Sequence, residues 1–272
     1  MSPLFWFIMA KTLHKLNNIK IEQVFIAYFA FLAKKLDFIV SYSSGITVIN
    51  CGLNSCIFNI VYGWFSSSVS YWKFEIAQCI TGFKDQPFAW VIPPSMRKPE
   101  LSAFLNHLML IIDKIEMPMM TCNLLHVPPY SPKTELVIKQ VQDSKTLQDF
   151  INLIESLDHI IKVFYQQVPL EFLQQSEKLF VGYINHKPVV TGILFEYDDE
   201  ISGIFKIFTC EEERCKGFGK DMTTYLLKFA ENRGNKFVTL MASDLGYPIY
   251  KDLGFKESEL GKFEYFECRT NC

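Results

Sequence analysis

Arg214-Cys215-Lys216-Gly217-Phe218-Gly219-Lys220 lies between a strand-like run, GIFKIFTC, and an amphipathic run, DMTTYLLKFAENRG. A helix start leaves backbone N–H groups unpaired and carries partial positive charge, so an anion such as phosphate is stabilised there. Gly217 and Gly219 let the backbone approach an anion closely and take up positive φ. Lys216 and Lys220 add charge at the rim, while Phe218 is expected to point inward and anchor the helix. The stretch is not a P-loop, and no third glycine follows Gly219 to complete a dinucleotide fingerprint. Taken alone, the glycine pair is open to two readings, a plain turn and an anion seat.

About thirty residues later comes ASDLGYPIYKDLGF. Together the two stretches, within residues 204–266, resemble the GNAT superfamily of acyl-CoA N-acyltransferases. The family's [QR]-x-x-G-x-[GA] signature is met by Arg214 to Gly219, after a strand and before a helix. Its second signature, L/I-Y-x-x-L-G-F on a helix, is met by Ile249 to Phe255. The resemblance implies that the pyrophosphate of acetyl-CoA sits on the amides of Cys215, Lys216, Gly217, Phe218, Gly219 and Lys220, with Arg214 opening the motif. It also implies that backbone groups of Ile207, Phe208 and Thr209 hold the pantetheine arm. Ser243 stands where the family commonly has an asparagine near that arm, which is a departure.

Tyr250 matches the tyrosine that often serves the family as general acid. When an amine attacks a thioester, a hydroxyl with a pKa of about 10 within hydrogen-bonding reach stabilises the departing thiolate. The competing reading is a core aromatic on a short helix, beside Ile249 and Leu253. For a general base, Glu196 and Glu211 are candidates, and both also read as solvated surface carboxylates. Cys215 has no evident His or Asn partner, so backbone contact is expected of it rather than nucleophilic catalysis.

The elements that must position these residues are written in a chain of 272 residues, 49% hydrophobic and 15% aromatic, enough for one large domain or two smaller ones. With 27 basic and 29 acidic side chains, the net charge of −2 leaves no electrostatic footprint for nucleic acid or an anionic membrane. The eight cysteines form no C-x-x-C pair, and the five histidines lack metal-ligand spacing. Free thiols in a reducing cytoplasm, and no metal, are therefore expected. The opening MSPLFWFIMA is short and lacks the flanks of a signal peptide, which makes it a core-packing segment. IEQVFIAYFAFLAKKLDFIV is too short and too charged to span a bilayer and reads as a buried helix.

The prolines of HVPPYSPKTE mark a seam, dividing the chain into residues 1–126, a linker over 127–134, and residues 135–272. In the second part, ELVIKQV is a strand and SKTLQDFINLIESL a helix capped by Ser144. IIKVFYQQ and PLEFLQQ continue in helical spacing. KLFVGYI and PVVTGILFEY form a hairpin across Asn185-His186-Lys187, and KFVTLMA and KFEYFECR are later strands. The fold class is mixed α/β, a mainly antiparallel central sheet flanked by helices.

The first part, with ITVINCGLNSCIFNIVYG and DQPFAWVIPPSMRKPELSAFLNHL, resembles the first half of tandem bacterial GNAT proteins. It has neither signature, which implies a degenerate domain without cofactor binding. Phe88, Trp90 and Asn59 are candidates to face an acceptor cleft, with burial as the competing account. The expected function is an acyl-CoA-dependent N-acyltransferase, moving acetyl from acetyl-CoA to a primary amine. The alternative is a CoA-binding or scaffold protein of the same fold. A transferase using aminoacyl-tRNA is disfavoured by the missing basic stripe.

Overall fold

The computed structural model describes residues 20–36, 38–43, 45–63, 72–84, 86–107, 111–127, 131–157, 159–171, 175 and 177–269. The opening decapeptide, Pro128 and Pro129 of the seam, and Cys272 lie outside the described residues. Two compact units form. One takes described residues up to 33, with 38–119 and 258–269; the other takes 34–36 and the described residues of 120–257.

The first unit begins with helix α1 (20–35), whose Tyr28, Leu32 and Ala33 are buried as the apolar run predicts. Strands β1 (Ile39–Ser43), β2 (Ile46–Asn50) and β3 (Ile60–Gly63) form antiparallel neighbours. Helix α2 (Trp72–Ile80) leads to β4 (Phe88–Ile92), which pairs parallel with β3. Helix α3 (Pro99–His107) and strand β5 (Ile111–Asn123) follow, with residues 111–119 of β5 in this unit. All five residues of β4 are buried, and Phe83 stacks on Phe88 at 4.8 Å.

In the second unit β6 (Val137–Gln140) precedes helices α4 (Ser144–Ile154) and α5 (His159–Gln167). The cap of α4 is Asp143, not Ser144: its carboxylate accepts from Thr146 N at 2.7 Å, and the Thr146 hydroxyl accepts in return from the Asp143 amide. Helical spacing in PLEFLQQ does not give a helix over 169–171: Pro169 disfavours helical backbone at Val168, which ends α5, and a turn follows. Strands β7 (Glu177–Ile184) and β8 (Lys187–Glu196) meet through Asn185 and His186, with φ of 48° and 65°. Two left-handed residues are what a two-residue hairpin turn demands.

Strand β9 (Ile201–Thr209) is antiparallel to β8; helix α6 (Phe218–Asn232) then crosses to β10 (Phe237–Met241), which runs parallel to β9. Helix α7 (Tyr247–Asp252) precedes strand β11 (Lys256–Cys268). The core of this unit lies between α6, α7 and the strands, around Phe180, Val190, Leu194, Met222, Leu226 and Val238.

A division at the proline seam alone does not describe the units. Residues 120–126 join the second, and β11 pairs antiparallel with β4 from Glu264↔Ile92 to Cys268↔Phe88, burying Phe266 and Cys268 in the first. Along the chain the order strand, strand, strand, helix, strand, helix, strand recurs: β1 to β5, then β7 to β11. All pairings of described register are antiparallel except β3–β4 and β9–β10, each bridged by a helix. The fold class is therefore mixed α/β with mostly antiparallel sheet, as read.

Candidate active site

Strand β9 positions the site. Its register against β8 shifts between Thr191 and Ile193, so that Lys206 and Ile207 oppose Gly192 alone. Lys206 has φ of 51°, the signature of a bulge that bends one strand, and its carbonyl accepts from the Thr191 hydroxyl at 3.0 Å. On the other side, pairing with β10 ends at Gly203↔Thr239, although β9 continues to Thr209. Cys210 N donates back to Val189 O at 3.0 Å. Backbone groups alternate sides along a strand, so with Cys210 N facing β8 those of Thr209 point away from it, beyond the β10 pairing.

The loop after β9 is braced by its own side chains. Arg214 Nε donates to Thr209 O at 3.3 Å, its guanidinium pairs with Glu211 at 3.2 Å, and it lies 5.8 Å from the Phe208 ring centre. Lys216 pairs with Glu213 at 2.7 Å, and Lys220 pairs with Asp252 at the end of α7. Cys215 and Gly217 both have left-handed backbones, φ 62° and 93°, and Gly217 is the N-cap of α6 with no side-chain cap. The first N–H groups of a fifteen-residue helix therefore open without a capping side chain. Phe218 is buried in the core below them, as expected.

Gly219 joins three pieces. The position of a β-carbon on it is 3.6 Å from Thr209 Oγ1, 3.8 Å from Ile207 Cγ2 and 3.9 Å from Ile249 Cδ1. The turn, the open end of β9 and the helix carrying Tyr250 thus meet at this glycine. Tyr250 is 8% exposed, its ring tilted against Phe255 at 5.7 Å. Burial pushes its hydroxyl up to about 12, and among the described residues no group hydrogen bonds it. The hydroxyl oxygen is not among the fully buried unpartnered atoms, so the ring is enclosed while its polar tip keeps access to solvent.

Ser243 is exposed and shapes the entry to α7: its carbonyl accepts from Gly246 N and Tyr247 N at 3.0 and 2.9 Å. Neither candidate base is free. Glu196 sits opposite Ser202 at the far end of β9, about 20 Å from Thr209 by strand rise, and binds Arg233 at 2.7 Å. Glu211 is spent on Arg214. Phe88 and Trp90 are fully buried; Trp90 Nε1 donates to Gly63 O at 3.0 Å. Asn59, also buried, ties Cys51 N, Leu53 O and Pro87 O together, so its role is to hold a turn.

Sequence reading missed the segment 131–134. Asp221, 2% exposed in the first turn of α6, accepts from Thr134 N at 3.1 Å, from the Thr134 hydroxyl and from Lys133 N at 3.5 Å. An acid in a first helical turn is ordinary, and no local pattern marks a partner 87 residues away. The seven described cysteines are free. No helix of the described residues is long and apolar enough to cross a membrane.

Residues 141–264 match the family model of an acetyltransferase (GNAT) domain. Solved structures share the fold over most of the chain. A GCN5-related N-acetyltransferase from Kribbella flavida superposes with a TM-score of 0.64 at 13% identity, covering 90% of this chain and 95% of that one. A conserved protein of unknown function from Staphylococcus epidermidis gives 0.64 at 15% identity, covering 87% and 96%. A GCN5-related N-acetyltransferase from Sphaerobacter thermophilus gives 0.60 at 13% identity, covering 85% and 83%. No curated protein matches the sequence.

Proposed function

We propose that the chain is an acyl-CoA-dependent N-acyltransferase that moves acetyl from acetyl-CoA to a primary amine. The observation carrying this reading is the meeting at Gly219 of the uncapped α6 start, the unpaired end of β9 and the α7 helix of Tyr250. The donor set fits the ligand: a left-handed, glycine-containing turn presents consecutive amides to a pyrophosphate, and an extended strand edge suits the amide-rich pantetheine arm. Cys215, Lys216, Gly217, Phe218, Gly219 and Lys220 would hold the pyrophosphate, and Ile207, Phe208 and Thr209 the arm. Arg214 braces the turn from behind, and Ser243 sets the angle of α7.

Acetyl-CoA supplies the acyl group as an activated thioester. The amine nitrogen bonds to the acyl carbon, the carbon–sulfur bond breaks, and the nitrogen loses a proton. Backbone donors on β9 stabilise negative charge on the acyl oxygen. Tyr250, its pKa pushed up to about 12, stays protonated at neutral pH and donates to sulfur as charge builds there. With Glu196 and Glu211 both ion-paired, we assign deprotonation of the amine to water in the cleft. The repeated order of elements supports a tandem arrangement of two GNAT-like units, the first of them degenerate and without either signature.

That pairing of both carboxylates also favours a second reading, a CoA-binding protein without turnover. Thermal melting with acetyl-CoA, CoA and ATP tests CoA recognition, since a ligand of the folded state raises Tm. No shift with either CoA species sinks both readings. Thiol release with a panel of amines separates them: turnover lost in Tyr250→Phe with binding kept supports the enzyme.

A further inference from the structure

We propose that Lys133 is a phosphate-binding residue of the acyl-CoA site, delivered there by residues 131–134, which the Asp221 carboxylate pins to the first turn of α6. The inference rests on the acyl-CoA reading and adds a ligand contact from outside both sequence signatures.

Three observations carry it. The first is the pin itself. Asp221 is 2% exposed and accepts from the Thr134 amide at 3.1 Å, from the Thr134 hydroxyl, and from the Lys133 amide at 3.5 Å. A buried carboxylate so held fixes the backbone of the segment that donates to it.

The second is where this fixes it. Thr134 Cγ2 lies 3.6 Å from the β-carbon position of Gly217, the cap from which the helix amides open. The Lys133 charge also helps hold the Asp252 carboxyl below its usual range, after the larger effect of the hydrogen bond from Lys220. The Lys133 side chain is exposed beside this turn, free of the backbone that Asp221 holds.

The third is charge balance. Arg214, Lys216 and Lys220 are each matched to a carboxylate, Glu211, Glu213 and Asp252. Asp221 adds a further negative charge one turn into the helix, which opposes an incoming phosphate. Lys133 is hydrogen-bonded through its side chain to none of the described residues. Its ammonium remains available for a phosphate oxygen.

Calorimetric titration of the full chain with CoA, 3′-dephospho-CoA and pantetheine tests this at two salt concentrations. Lys133→Ala is expected to weaken CoA binding roughly tenfold to a hundredfold, the scale of one charge-assisted hydrogen bond, with a shallower salt dependence. Lys133→Arg should restore most of the loss, and pantetheine, which has no phosphate, should bind both proteins alike. Thr134→Val, which removes one donor to Asp221, should weaken CoA severalfold in the wild type and little further in Lys133→Ala. An equal loss with 3′-dephospho-CoA assigns the contact to the pyrophosphate; a loss confined to CoA assigns it to the 3′-phosphate. Equal CoA affinity of wild type and Lys133→Ala overturns this inference alone. No CoA binding by the wild type overturns the acyl-CoA reading and this inference with it.

Discussion

A β-carbon on Gly246 would stand 2.6 Å from Cε2 of Tyr250 and 3.1 Å from its hydroxyl oxygen. The tyrosine ring therefore occupies space that any other residue at 246 would claim, and the absence of a side chain there sets where the hydroxyl points. Gly246→Ala should push the ring aside. We expect kcat to fall by about tenfold to a hundredfold, the scale for a catalytic group misplaced by about 1 Å, with little change in the KM for acetyl-CoA. Steady-state kinetics of the variant measures the split; an unchanged kcat would show that the hydroxyl position is not critical.

Tyr250 should leave no mark on the basic side of the pH–rate profile. Burial raises its pKa to about 12, so the protonated form persists through the whole range in which the protein is assayed. The rising limb of kcat/KM should instead follow the pKa of the amine supplied, and shift when the amine is changed. Tyr250→Phe should lower kcat by about a hundredfold or more at every pH, without altering the shape of the profile. A basic limb near pH 10 that vanishes in Tyr250→Phe would contradict this burial.

Gly217 has φ of 93°, and an L side chain there strains the backbone by about 1–2 kcal/mol. Gly217→Ala should lower stability by about that amount in urea titration. It should also weaken CoA binding more than it weakens pantetheine binding, because the strained turn is the one presenting amides to phosphate.

Glu264 links acid stability to the first unit. Burial alone would raise its pKa, but hydrogen bonds from Lys114 at 2.7 Å and Arg97 at 3.0 Å outweigh burial and hold the carboxyl below its usual range. A folded-state pKa below the unfolded one adds stability above the unfolded value, and this is lost as pH falls through the folded value. Denaturant midpoints should therefore drop between about pH 5 and pH 3. Glu264→Gln should be less stable at pH 7 and show a flatter acid dependence; an unchanged slope would remove Glu264 from the account.

Residues 135–272 expressed alone should fail to give a stable monomer. Strand β11 would lose β4, exposing Phe266 and Cys268, both fully buried in the intact chain, along an unpaired strand edge. Size-exclusion chromatography should show aggregate, whereas a folded monomer that binds CoA would disprove the dependence.

What the sequence determined by itself was local. The Asn185-His186 turn, the glycine turn before α6, the amphipathic α6 and the short α7 were legible because backbone preference and side-chain period act within a few residues. Even there, competition between adjacent caps was not readable: Asp143 takes the place predicted for Ser144 because Thr146 returns its hydrogen bond.

Tertiary structure decided everything that depends on which distant segments pair. Glu196 looked close to the site along the chain, yet strand register carries it to the opposite end of β9. The separation of β9 from β10 after Gly203, the burial that raises the Tyr250 pKa, and the departure of β11 to the first unit belong to no single stretch of residues. The same holds for Asp221 and Thr134, 87 residues apart. A helix start or a turn is stabilised by its own backbone, whereas a cleft exists only once non-local pairing and burial have offset the entropy of closing long loops.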